Sequence, residues 1–146
     1  MQNYPHRYRV TATSLPEGDV RLASNGLPPL PTASPLEFGG PGDRWSPETL
    51  LTGAVADCFI LTFRALARAS KLVWHDLECD ATGTLDRVDG VTRFTAMELH
   101  AHLTVPAGVD EALAARLLHK AEERCLISRS LHASVHLDAR VTVLVA

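Results

Sequence analysis

A chain of 146 residues, 46% of them apolar and carrying a net charge of only −3, can bury a sizeable core without disulfide staples. With 14 basic against 17 acidic residues it has no excess of positive charge for nucleic acid or an anionic membrane surface. The start, MQNYPHRYRV, holds no apolar run of the secretory kind, and stretches such as FILTF fall far short of the roughly 20 residues that cross a bilayer. Three cysteines in such a chain suit reduced thiols. The expectation is one cytoplasmic domain over residues 1–146.

In RYRVTAT, Tyr8, Val10 and Ala12 alternate with Arg7, Arg9 and Thr11, the period of a half-buried strand. SLPEGD supplies a turn and VRLAS a returning strand. Residues 25–43, NGLPPLPTASPLEFGGPGD, are too rich in Pro and Gly for regular pairing and read as an ordered loop within the domain. GGPGD is not a phosphate loop, because no Gly-Lys-Ser/Thr ending follows.

Residues 46–71 carry the strongest helical pattern. Ser46 suits the N-cap, Pro47 the first helical position, and Glu48 the positive end of the dipole. Leu51, Val55, Cys58, Thr62, Ala65 and Ala69 are spaced to form an inward stripe, while Asp57, Arg64, Arg68 and Lys71 form a polar one. Two strands follow. LECDATGTLD turns Leu77, Cys79 and Ala81 inward, and VTRFTAMELHAHLTV turns Met97, Leu99, Ala101, Leu103 and Val105 inward, with Asp89-Gly90 as the hairpin signal between them. PAGVDEALAARLLHKAEERC is a second helix and VHLDARVTVLV a last strand. The order ββ-α-ββ-α-β makes an α+β fold with segregated helices.

A cysteine acts as thiolate, and apolar burial raises its pKa. Taken alone, Cys58 on an apolar stripe is more often a small core residue than a nucleophile. Cys79, on the inner face of its strand, reads as structural. Cys125 changes the weighing, because it ends the second helix beside the polar turn of Ser128, Arg129 and Ser130. If the fold brings Cys58 and Cys125 within the Cα reach of a disulfide, about 7 Å, they have the arrangement of a reacting thiol and a resolving partner. Seven histidines, among them His100, His102, His119, His132 and His136, show no ligand spacing, so no metal site is expected.

SPETLLTGAVADCF resembles the helix signature of the OsmC/Ohr family (osmotically inducible and organic hydroperoxide resistance proteins), a Pro-Glu pair followed by Cys-Phe ten residues after the Glu. CLISRSL resembles that family's second-cysteine motif, with Leu126 where the family usually has Pro. The resemblance implies mostly antiparallel sheets wrapped about central helices in an intertwined homodimer. It implies a peroxidase for organic hydroperoxides in oxidative stress defence, needing no cofactor and using an external, lipoyl-type dithiol reductant. It makes Cys58 the peroxidatic cysteine, Cys125 the resolving one, and Glu48 the support of a catalytic arginine. Glu48 and Cys58 lie roughly 15 Å apart along a straight helix, so a long arginine would have to bridge them. Phe59 and Phe63 would give an apolar pocket. The matching hairpin position holds Pro16 and the matching loop stretch is LEFGG, so the arginine is not at its place. Arg44 is the candidate substitute, with Arg21 and Arg129 behind it. The missing arginine keeps a second reading open, a non-enzymatic module binding a small apolar ligand at the dimer interface.

Overall fold

The computed structural model describes residues 1–146. The chain forms two compact units, Met1–Leu50 and Leu51–Ala146.

The first unit is a three-stranded antiparallel sheet in the order β1 (Thr11–Thr13), β2 (Val20–Ala23), β3 (Leu30–Thr32). β1 is shorter than the alternation suggests, and the half-buried strand expected there is not half-buried: Tyr8 is 89% and Val10 62% exposed. The Pro/Gly stretch is ordered, as expected, but it also holds β3 and a single 3₁₀ turn, Leu36–Phe38, ended by Gly39 in the left-handed region. Pro31 is tolerated because β3 lies at the sheet edge, where one missing N–H costs no ladder bond. Gly40 has no freedom to change, since a Cβ there would run into the Ser34 carbonyl.

The second unit holds the core. Its sheet runs β4 (Asp76–Val88), β5 (Val91–Val105), β6 (Ser134–Val143). β4 and β5 are the expected hairpin, turned by Asp89 (φ 51°) and Gly90 (φ 76°), both left-handed as a two-residue turn requires. β6 pairs with β5 in parallel, Ala96 with Ser134 through Val105 with Val143. With the other strand pairs antiparallel, the sheets are mostly antiparallel as expected, and the crossover of this parallel pair is the helix α2 (Glu111–Arg124), begun by the Asp110 carboxylate accepting from the Leu113 N–H at 3.0 Å. One face of β5, Met97, Leu99, Ala101, Leu103 and Val105, is buried, as its alternation foretells.

The helix α1 (Pro47–Ala69) begins in the first unit and continues through the second. Ser46 is its N-cap: the Thr49 N–H donates to Ser46 Oγ at 3.1 Å, and the Ser46 N–H donates to Thr49 Oγ1 at 2.8 Å. Its buried stripe is Val55, Phe59, Phe63 and Ala67 rather than the expected Leu51–Val55–Cys58–Thr62–Ala65–Ala69 row. The two large phenylalanines win the interior, so the helix is rotated, Ala65 and Ala69 are exposed, and Cys58 sits at the margin of the core, half-buried. Gly83 on β4 permits close approach of helix and sheet, because a Cβ there would stand 2.7 Å from Thr52 Oγ1. With 23 residues and a mean hydropathy of 1.6 over its best 18, α1 is long and apolar enough to cross a membrane by length and composition alone. Its Phe59 and Phe63 are instead fully buried in a core shared with β5 and α2, with Phe63 edge-on to Trp74 at 5.5 Å.

Candidate functional site

Cys58 occupies the middle of α1, where its sulfur lies 4.0 Å from the hydroxyl of Thr62, one turn on. That hydroxyl also donates to the Cys58 carbonyl at 2.7 Å. Cys125 is both the C-cap of α2 and the N-cap of a one-turn helix, α3 (Leu126–Arg129), which the sequence reading took for a polar turn. Cys125 is fully buried, and its thiol points to the carbonyl of Val55 at 3.9 Å. Val55 lies one turn before Cys58 on α1, so the start of α3 abuts α1 beside the Cys58 sulfur.

The two thiols are unlike in chemistry. Burial opposes ionisation of Cys58, but the Ile127 N–H, the Cys125 thiol, the Thr62 hydroxyl and the Leu126 N–H act together against it, and the balance holds this thiol below its ordinary value. Every one of those donors is a neutral dipole. The N–H groups are available because Cys125 makes no side-chain cap over the first turn of α3. At Cys125 burial dominates, the hydroxyl and N–H of Ser128 lower its pKa only in part, the neighbouring Cys58 raises it, and this thiol is pushed up. The first proton to leave therefore comes from Cys58 rather than from Cys125, whose thiol donates to the Val55 carbonyl.

Cys79 is half-buried on the inner face of β4, and burial, then Asp80, then Cys125, push its thiol up to about 11. That agrees with its reading as a packing residue. Among the other expected residues, Glu48 is half-buried in the first turn of α1. Arg44 is engaged within the first unit: its Nε donates to Asp19 at 2.9 Å and its Nη1 stands 3.4 Å from Asp43. Arg21 pairs across the sheet with Thr13 and Pro31, and Arg129 closes α3. No set of three His, Cys, Asp or Glu side chains is grouped to hold a metal. The sequence reading missed the N–H donors of Leu126 and Ile127, and the signal for them was the absent proline: a non-proline after Cys125 retains an N–H at a helix start.

The scaffold is α+β, with Cys58 on α1 and Cys125 at the end of α2. The OsmC-like protein family model matches residues 40–140, and the chain belongs to that family. It is 34% identical over 129 residues to the uncharacterized protein YmaD of Bacillus subtilis, covering 86% of this chain and 85% of that one. It is 28% identical over 122 residues to the peroxiredoxin OsmC of Escherichia coli, covering 84% of each. An organic hydroperoxide resistance protein OsmC from Legionella pneumophila has the same fold, with a TM-score of 0.74 at 27% identity over 97% of this chain and all of that one.

Proposed function

We propose that this chain is a homodimeric thiol peroxidase that reduces organic hydroperoxides, with Cys58 as nucleophile and Cys125 as resolving thiol. The observation that carries the reading is the sorting of the two thiols. The more accessible one is biased toward the thiolate by neutral donors, and the buried one, whose thiol donates to the Val55 carbonyl, is biased the other way. The Cys58 thiolate attacks the terminal peroxide oxygen, an S–O bond forms, the O–O pair leaves with the alkoxide, and solvent protonates it to the alcohol. Cys125 then attacks the sulfenic sulfur; an S–S bond forms and the hydroxyl leaves with the Cys125 proton as water. An external dithiol of the lipoyl kind exchanges with the disulfide and restores both thiols, so no bound cofactor enters.

Glu48 is assigned to hold a guanidinium that polarises the peroxide. Arg44 can serve only after exchanging its carboxylate partners Asp19 and Asp43. The second copy is argued from the first unit, which contains no buried apolar side chain and exposes Tyr8, Val10, Leu15 and Phe38. Exposed apolar side chains of this size are suited to cover, and the proposed cover is another copy of the chain. The cytoplasm suits the reaction, because Cys58 and Cys125 must be reduced between turnovers.

Thiol titration before and after one equivalent of cumene hydroperoxide tests the reading. Loss of two thiols per chain, abolished in Cys58→Ser, is expected. Unchanged thiols in the unaltered protein overturn it in favour of a binding module.

A further inference from the structure

Thr62 takes no part in the peroxide chemistry above, yet its hydroxyl, one of the donors around Cys58, is placed between two acceptors of the same residue. One is the Cys58 carbonyl at 2.7 Å, the familiar back-bond of a helical threonine to the residue four before it. The other is the Cys58 sulfur at 4.0 Å. A hydroxyl has one proton, so it serves one acceptor at a time. The Cys58 carbonyl lies inside α1 and is a backbone acceptor of the helix ladder, so it does not depend on the threonine. A neutral thiol is a weak acceptor and leaves the proton on the carbonyl; a thiolate is a charged acceptor and competes for it.

We propose that Thr62 is a positioning residue for Cys58, whose hydroxyl turns from the Cys58 carbonyl to the sulfur when that sulfur loses its proton. The swing is a rotation about one bond within α1 and requires no backbone movement. It adds a donor on the α1 side of the sulfur, opposite those supplied by Leu126 and Ile127 from α3. Cys125 is the titratable group that faces Cys58, and Asp57, its neighbour in sequence, is exposed. The inference rests on Cys58 working as a thiolate, but it concerns the ionisation of the sulfur rather than its reaction with a peroxide.

The experiment is the pH profile of Cys58 alkylation by iodoacetamide, read on the Cys58 peptide by mass spectrometry so that Cys125 and Cys79 do not contribute. Thr62→Val keeps the shape and loses the hydroxyl, and Thr62→Ser keeps the hydroxyl. The expected result is a Thr62→Val profile displaced to higher pH, alkylating about fivefold more slowly at pH 7, the loss of one hydrogen bond of ordinary strength. Thr62→Ser should restore the unaltered profile, which a purely structural threonine would not do. Thr62→Ala carries the same readout if the valine variant fails to fold. A Thr62→Val or Thr62→Ala profile that superimposes on that of the unaltered protein overturns the proposal, as does a serine variant displaced as far as the valine one. Failure of the peroxidase reading looks different: hydroperoxide leaves the thiols intact while the alkylation profile still moves.

Discussion

Leu126→Pro isolates a single donor. Leu126 is the first residue of α3, where the helix itself makes no use of the N–H. Proline favours that position, and it requires an extended residue before it; Cys125, at φ −62° and ψ 115°, already is. The leucine side chain is 68% exposed, so its loss removes little packing. The substitution thus deletes one N–H that lowers the Cys58 pKa and leaves the backbone path intact. A hydrogen bond to a charged group is worth about 1.5–3 kcal/mol when buried, and Cys58 is only half-buried, so about 1 kcal/mol is the appropriate figure. That corresponds to roughly a fivefold loss of thiolate at neutral pH. The donors from Ile127, Cys125 and Thr62 remain, so the loss is partial.

The assay is the same alkylation profile, with Leu126→Ala as the control that shortens the side chain and keeps the N–H. The alanine variant should match the unaltered protein and the proline variant should fall behind it by about fivefold at pH 7. Thermal unfolding of the proline variant should hold or improve, because proline restricts the unfolded chain at a compatible site. If the proline profile coincides with that of the unaltered protein while its melting temperature holds, the start of α3 does not stabilise the thiolate, and the account of the site is wrong.

Two further outcomes concern stability. α1 ends in a Schellman turn, with Leu72 N–H donating to Ala67 O at 2.9 Å and Lys71 N–H to Arg68 O at 3.2 Å, which forces Lys71 to φ 54°. Lys71→Gly relieves that conformation and should raise the unfolding free energy by about 0.5–1 kcal/mol in urea titration; a loss instead would mean the lysine side chain stabilises the turn. Cys79, at about 11 against an ordinary 9.0, binds its proton more tightly folded than unfolded, so its contribution is present below pH 9 and is lost as pH rises from 9 to 11. Discounted for its partial exposure that is about 1 kcal/mol. Thermal melts from pH 8 to 11 should show a steeper alkaline decline for the unaltered protein than for Cys79→Ala, and parallel declines would refute the assignment.

Much of the second unit was legible because its patterns are set by burial alone. The alternation of Met97 to Val105 is strict enough to fix the inner face of β5, and Asp89-Gly90 fixes the hairpin turn. The stripe of α1 was misplaced because it was drawn through Cys58 and the alanines, whereas Phe59 and Phe63 bury more surface and set the rotation of the helix. β6 was seen as a strand, but its direction depends on where α2 returns the chain, which no local pattern encodes. In the first unit the alternation of Tyr8, Val10 and Ala12 is real, yet these residues are exposed within the chain. A period of two reports a face that wants cover, and cover is what a second copy is proposed to supply.

Legibility of the site divides along the same line. Cys58 and Cys125 are visible as residue types, and the N-cap at Ser46 follows from its neighbours. What decides their chemistry is not in the types. The family resemblance implies an arginine near Cys58. The compensation within this unit is a set of dipoles: two N–H groups that α3 leaves uncapped, a hydroxyl one turn along α1, and a thiol whose own proton is retained by burial beside the Val55 carbonyl. The start of α3 lowers the pKa of Cys58, while burial at the end of α2 raises that of Cys125. An arginine supplied from elsewhere would act on a sulfur already biased toward the thiolate, so its distinctive contribution would fall on the peroxide, whose leaving oxygen gains the negative charge.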